Sequence, residues 1–172
     1  MTINPLRQGR MLARYKAWAD AMIFAAAAKL PEGEVTRPRK SVFKSIAHML
    51  NHIYVIDRVF QCHLEGRPHG YTARNTPGHP PLEELQRAQA EMDAWYVALS
   101  DRLTPETAEE RIRFDYIGGG NGEMTRAEIL LHVVNHSTYH RGFVADFFYQ
   151  VPVQPPATDL TVYLRDVPQQ PA

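Results

Sequence analysis

Residues 125–149 read TRAEILLHVVNHSTYHRGFVADFFY, and both the fold and the candidate chemistry follow from this stretch. Thr125 followed three positions later by Glu128 is a capping box, which is typical of a helix N-terminus. Apolar residues recur beyond it at helical spacing, and Pro152 ends the pattern. The stretch therefore predicts a long helix from Thr125 to about Tyr149.

Three further segments carry helical periodicity. They cover residues 5–30 and 41–65 and a third run that opens at Pro81 and stops at Pro105. Four helices of this length, joined by connections of moderate length, predict an all-α fold, a four-helix bundle. The longest connection, GRPHGYTARNTPGHPP at 66–81, is polar and rich in proline, so we expect a surface loop there.

Two shorter elements complete the expected fold. RIRFDYI at 111–117 alternates apolar and polar residues and is followed by GGGNG at 118–122. Alternation before a glycine-rich turn predicts a short hairpin, or at least an extended excursion, before the last long helix. The tail at 157–168 predicts one short helix packed on the others.

Length and composition indicate a single domain over residues 1–172 and limit the possible partners. Hydrophobic residues make up 44% and charged residues 22% of the 172 residues, which is typical of a globular protein. The formal net charge is zero, so there is no basic surface excess to bind nucleic acid. Cys62 is the only cysteine, which excludes an intrachain disulfide and favours a buried apolar role for this side chain. With no signal peptide or membrane span evident, we expect a cytoplasmic protein that acts on a small molecule.

Histidines in the last long helix are the candidate functional residues. His132, His136 and His140 recur at intervals of four and lie on one helical face, among apolar neighbours. Several buried imidazoles need partners for all their nitrogens, and a divalent cation can accept one nitrogen from each neutral ring. The first and third of these residues lie about 12 Å apart along the axis, at about 1.5 Å per residue. One of the three is therefore a bystander to any single ion.

A second histidine pair lies in the predicted helix at 41–65. His48 and His52 are also four residues apart, and His52 lies one turn from apolar neighbours. One histidine from this helix and two from the last would give three nitrogen ligands and an open position, the pattern of a catalytic zinc site. The competing interpretation is that both pairs are surface or hydrogen-bonded histidines. His63, His69 and His79 are not predicted to be ligands.

The sequence resembles the DinB/YfiT-like family of metalloenzymes. NHIYVIDRVF at 51–60 and HVVNHSTYHRG at 132–142 carry the resemblance, with weaker matches at YKAWA and TDLTVYL. It implies a four-helix bundle with metal ligands at His52, five positions before Asp57, and at His136 and His140. His132 and His48 then become non-ligands. Lys16 and Asp20 depart from the asparagines that are frequent in the first helix of this family.

The same resemblance implies zinc or nickel as the metal and a homodimer as the assembly. Some family members transfer low-molecular-weight thiols to electrophiles, so the leading hypothesis is a metal-dependent, thiol-dependent transferase, with a hydrolase as a further possibility. The alternative is a non-catalytic metal-binding stress-response protein, because no protein nucleophile or general base is evident beside the histidines. DNA binding is disfavoured by the absence of a basic stripe.

Overall fold

The computed structural model describes residues 5–168, so the predicted domain of residues 1–172 begins and ends outside this range. Over this range the chain is mostly helical, with one small two-stranded sheet. The helices are α1 (Pro5–Ala27), α2 (Ile46–Leu64), α3 (Leu82–Arg102), α4 (Pro105–Ala108), α5 (Arg126–Tyr149) and α6 (Leu160–Asp166). The strands are β1 (Arg111–Asp115) and β2 (Asn121–Thr125).

Each of the four long helices packs against two of the other three. Helix α1 lies against α3 and α5, and α2 lies against the same two helices. The α2–α5 contact brings together the two helices that carry the histidine pairs. Helix α6 packs on α1 through Tyr163, whose ring centroid lies 5.8 Å from that of Tyr15 and 5.5 Å from that of Trp18.

Two predicted helix ends are corrected by local backbone chemistry. Helix α1 stops at Ala27 rather than residue 30, because the N–H groups of Lys29 and Leu30 bond to carbonyls three residues back and tighten the turn. Helix α2 begins at Ile46 rather than 41. Lys44 has a φ of 61°, which a right-handed helix does not allow.

The predicted helix cap and the predicted hairpin are both present at the start of α5 and in the segment before it. Thr125 Oγ1 accepts the N–H of Glu128, and the Glu128 carboxylate accepts the N–H of Thr125, as the capping box predicts. Strands β1 and β2 pair antiparallel, with Arg111 opposite Thr125. The excursion is therefore a hairpin. Residues 118–120 have φ values from 90° to 103°, which only glycine adopts readily.

Within residues 5–168 the interior contains three apolar clusters, and a set of buried polar residues separates the two larger ones. The two larger clusters lie around Ile23, Ile53 and Phe147 and around Phe60, Tyr96 and Val133, and the third lies around Tyr15 and Tyr163. Each of the four long helices contributes buried polar residues to this set. We call this set the polar layer; its members are Lys16 and Asp20 of α1, Asp57 of α2, Gln89 and Asp93 of α3, and Ser137 and Arg141 of α5.

Cys62 is buried, as predicted for a small apolar side chain. None of the helices in residues 5–168 combines the length and the apolar character needed to cross a membrane.

Removing the cap of α5 is expected to destabilise the fold. Thr125→Ala deletes the side-chain acceptor for the Glu128 N–H and should lower the free energy of unfolding by about 1 kcal/mol. Urea denaturation followed by circular dichroism measures this difference. Thr72→Ala, in the exposed loop at 66–81, is the matched control and should change stability far less. Equal stability of the Thr125 variant and the wild type would contradict a role of the cap.

Candidate metal centre

Three histidine side chains from two helices meet at the α2–α5 contact. His52 of α2 and His136 and His140 of α5 each offer a ring nitrogen, and these nitrogens all lie within 4.8 Å of one another. The Nε2 atoms of His52 and His136 are 3.2 Å apart. The ring centroid of His140 lies 4.5 Å from that of His52 and 4.3 Å from that of His136. Three nitrogens this close can share one cation.

His52 is oriented by the loop that connects α2 to α3. Its Nδ1 donates a hydrogen bond of 2.8 Å to the backbone carbonyl of Arg74, which fixes the proton on that nitrogen. The lone pair of Nε2 then faces His136. A carbonyl partner on the far nitrogen is the usual way in which proteins orient a metal-binding imidazole. This role of Arg74 is not visible in the sequence, because any residue in the loop at 66–81 can supply a carbonyl.

The chemistry of the three imidazoles fits a divalent ion. Burial, followed by the positive charges that His140 and His52 would carry, lowers the pKa of His136 to about 2. Burial and then His52 lower the pKa of His140 to about 4, and burial lowers that of His52. All three rings are therefore neutral at pH 7, which is the form that binds metal. The Nδ1 atoms of His136 and His140 are buried and have no hydrogen-bond partner within residues 5–168.

The remaining histidines lie outside this group. His132 is one turn before His136 and packs its ring on Phe60, with centroids 4.5 Å apart. His63 stacks on Phe114 at 5.1 Å. His48 starts α2 beside its cap, where its own N–H donates to Ser45 Oγ. Of the five histidines on α2 and α5 at four-residue spacing, the structure thus brings His52, His136 and His140 together and leaves His48 and His132 outside the group.

A second group of potential ligand atoms already surrounds an ammonium group. Among residues 5–168 the carboxylates of Asp20, Asp57 and Asp93 also lie within 4.8 Å of one another. The Nζ of Lys16 is 2.9 Å from Asp20 Oδ2, 2.6 Å from Asp57 Oδ2 and 2.5 Å from Asp93 Oδ1. The three carboxylates hold the pKa of Lys16 well above its usual value despite the opposing effect of burial.

This carboxylate group is linked to α5 through Asp20. Its Oδ1 accepts hydrogen bonds from Ser137 Oγ at 2.8 Å and from Arg141 Nη1 at 2.7 Å. The contacts of Lys16, Asp20 and Arg141 were not predicted from the sequence. The available signal was the spacing of Lys16 and Asp20, an i,i+4 ion pair within an otherwise apolar helical stripe.

A mostly helical chain with three imidazoles on two packed helices fits the class of helical metal-binding proteins. The chain belongs to the DinB family, whose family model matches residues 4–170. It is similar to "Protein DinB" of Bacillus subtilis (strain 168), with 29% identity over 164 residues, covering 89% of this chain and 91% of that protein.

Acid should destabilise the metal-free protein. His136 and His140 have lowered pKa values in the folded state, so their contribution to stability is complete above the usual histidine pKa of 6.5. It is lost as the pH falls towards 4 for His140 and towards 2 for His136. Each extra proton bound by the unfolded chain costs about 1.4 kcal/mol per pH unit. Denaturation of chelator-treated protein between pH 7 and pH 4.5 measures this loss.

Asp93 and Asp57 oppose this loss, because burial raises the pKa of each carboxyl. The pKa of Asp93 rises to about 7, so its contribution favours the folded state at low pH and is lost as the pH rises through 7. Asp93→Asn should therefore make the acid destabilisation steeper, and His136→Ala should make it shallower. An acid dependence in His136→Ala that is as steep as in the wild type would contradict the histidine assignment.

Metal content should depend on the three converging histidines. Purified protein is expected to carry about one divalent ion per chain, and His136→Ala should lose it because two imidazoles remain. His132→Ala is the matched control on the same helix and should retain the ion. Elemental analysis after gel filtration gives the measurement. Equal metal in His136→Ala and wild type, or loss in His132→Ala alone, would show that the wrong histidines were chosen.

Proposed function

We propose that this protein is a divalent-metal-dependent enzyme that transfers a low-molecular-weight thiol to an electrophilic small molecule, with His52, His136 and His140 as the ligands of a zinc or nickel ion. The observation that carries the proposal is the convergence of three neutral imidazole nitrogens within 4.8 Å of one another. Imidazole suits both metals and does not choose between them.

With three histidine ligands, the nucleophile would be an exogenous thiol or water molecule bound to the metal rather than a protein side chain. Neutral imidazoles do not cancel the charge of a divalent ion, so such a site favours an anion as its further ligand. When bound, the ion would lower the pKa of a coordinated thiol or water molecule and favour its deprotonation at neutral pH. This supports a reaction without a protein nucleophile. In the proposed transfer, the thiol loses its proton and its sulfur bonds to an electrophilic carbon. The bond that breaks is the carbon–halogen bond of a haloalkane, the C–O bond of an epoxide or the π bond of an activated alkene. The epoxide oxygen or the alkene carbon then takes up a proton.

The residues around the three histidines orient the rings and determine from which side the site can be reached. The Arg74 carbonyl holds the His52 ring, and Phe43 packs edge-on against His140 with centroids 5.3 Å apart. His140 is buried, whereas His52 and His136 are partly exposed, so access is from the side of these two rings.

A small apolar cavity of about 60 Å³ lies next to this side, between α2 and the hairpin. Its lining includes Ile56, one turn beyond His52, and Arg74. The cavity is linked to the histidine site through Arg74, whose backbone carbonyl bonds to His52. The side chains of Ile56, Phe60 and Phe114 would accept a small apolar group of an electrophile.

Other aspects of the proposal rest on family membership and on packing. The alternating contacts of α1 and α2 with α3 and α5 support a four-helix bundle. A homodimer in the cytoplasm, acting on a small molecule without nucleic acid or membrane partners, completes the proposal. Hydrolysis is the second candidate reaction, because the same partly exposed site would also admit water. Metal binding without catalysis, in a stress-response protein, is the alternative.

Thiol transfer can be tested by comparing metal-loaded and metal-free protein. Each form is incubated with glutathione or another cellular thiol and a panel of epoxides, haloalkanes and activated alkenes, and thioether products are quantified by mass spectrometry. The loaded wild type and the His132→Ala control should form product, whereas metal-free protein and His52→Ala should not. Equal conjugation by loaded and metal-free protein across the panel would refute the transferase proposal. Metal-dependent cleavage of activated esters without thioether formation would favour a hydrolase instead.

A further inference from the structure

Two of the three candidate ligands lack the hydrogen bonds that usually orient a metal-binding imidazole. His52 is held by the Arg74 carbonyl, but among the described residues the Nδ1 atoms of His136 and His140 have no hydrogen-bond partner. Both residues belong to α5 and are one helical turn apart. The direction of their side chains therefore depends on how α5 is rotated about its own axis and how far it lies from α2.

The rotation of α5 is fixed by the residues that directly follow the two histidines. Ser137 and Arg141 both donate to Asp20 Oδ1 of α1, at 2.8 and 2.7 Å, and Arg141 Nη1 also donates to Ser137 Oγ at 2.7 Å. All three residues are at most 3% exposed. Successive residues of a helix project about 100° apart, so fixing the face of Ser137 and Arg141 also fixes the face of the histidines.

The same network continues to the helix that carries the third ligand. Asp20 Oδ2 accepts a hydrogen bond of 2.9 Å from Lys16 Nζ, and that ammonium lies 2.6 Å from Asp57 Oδ2. Asp57 lies in α2, five residues after His52. An unbroken chain of short polar contacts thus connects the helix of His136 and His140 to the helix of His52.

We propose that Asp20 and Lys16 are positioning residues of the metal centre, which hold α2 and α5 at the rotation and separation that bring the three imidazole nitrogens together. This inference rests on the proposed binding of metal by these histidines. Both side chains are buried in the polar layer and act through Ser137, Arg141 and Asp57. Neither is needed as a ligand.

A positioning role and a purely structural role make different predictions. If the network only stabilised the fold, its loss would lower the free energy of unfolding but leave the affinity and coordination geometry of the folded protein unchanged. If it positions the ligands, affinity and geometry change even in molecules that remain folded. Changing a residue that orients metal ligands typically costs about 10- to 100-fold in affinity.

The experiment compares Asp20→Ala, Asp20→Asn and a control of matched stability. Asp20→Ala removes the acceptor for Ser137 and Arg141, whereas Asp20→Asn keeps an oxygen for them and loses the carboxylate that faces Lys16. Leu99→Ala, in the apolar cluster of Phe60, Tyr96 and Val133, removes buried side-chain volume outside the polar layer and serves as the control. Full-length proteins are titrated with Zn²⁺ by competition and with Co²⁺ by absorption spectroscopy. Crystal structures are determined without metal.

Asp20→Ala should bind Zn²⁺ about 10- to 100-fold more weakly than wild type and change the Co²⁺ spectrum. The Zn²⁺ affinity of Asp20→Asn should lie between those of wild type and Asp20→Ala. Leu99→Ala should match wild type in affinity and spectrum despite its lower stability. Wild-type affinity and spectrum in both Asp20 variants would overturn the inference; if Asp20→Ala does not fold, Asp20→Asn alone decides.

A wild type that binds neither metal would refute the proposed function, but it would not by itself refute the positioning role. In that case the crystal structures decide the positioning role. The inference expects the separation of His52 Nε2 and His136 Nε2 to differ from the wild-type 3.2 Å in an Asp20 variant but not in Leu99→Ala. An unchanged separation would overturn it.

Discussion

A fully buried ammonium group constrains the arrangement of the long helices. Lys16 is 1% exposed, and an unpaired charge at this position would cost far more than the fold can offset. Three carboxylates from α1, α2 and α3 compensate it, and Arg141 of α5 shares one of them. Removal of one partner from a buried ion pair typically costs about 3–5 kcal/mol. A buried ion cluster is weak evidence of net stability, but it does fix which helix faces lie together.

The polar layer also sets the electrostatic surroundings of the histidines. Lys16 and Arg141 would repel a cation if they stood alone, but Asp20, Asp57 and Asp93 surround Lys16, and Asp20 also pairs with Arg141. Burial raises the pKa of Asp93 to about 7, so this carboxyl can be protonated near neutral pH. The two cations and the two remaining carboxylates then balance in charge. The layer as a whole then carries no net positive charge, although Lys16 is among the groups that lower the pKa of His136. The apolar clusters on either side limit water, which strengthens each polar contact within it.

Local signals predicted most of the helical segments, and the errors occurred where backbone geometry overrides periodicity. The capping box of Thr125 and Glu128 located the start of α5 correctly, because a cap is a contact within four residues. Apolar spacing extended α2 to residue 41, although Lys44 adopts a positive φ that breaks the helix. Pro105 was predicted to stop a helix, and it also begins the short helix α4, because proline suits a first helical turn.

The sequence alone determined that α5 carries histidines on one face, since four-residue spacing and helical geometry require it. The resemblance to a family then singled out His52, His136 and His140, and the structure brings these three together. Only the tertiary structure decided that the Arg74 carbonyl orients His52 and that Lys16 and Asp20 belong to one polar layer with Asp57, Asp93 and Arg141. These contacts join residues far apart in the chain. Sequence spacing does not encode such pairings, because they depend on how the helices are rotated and packed against one another.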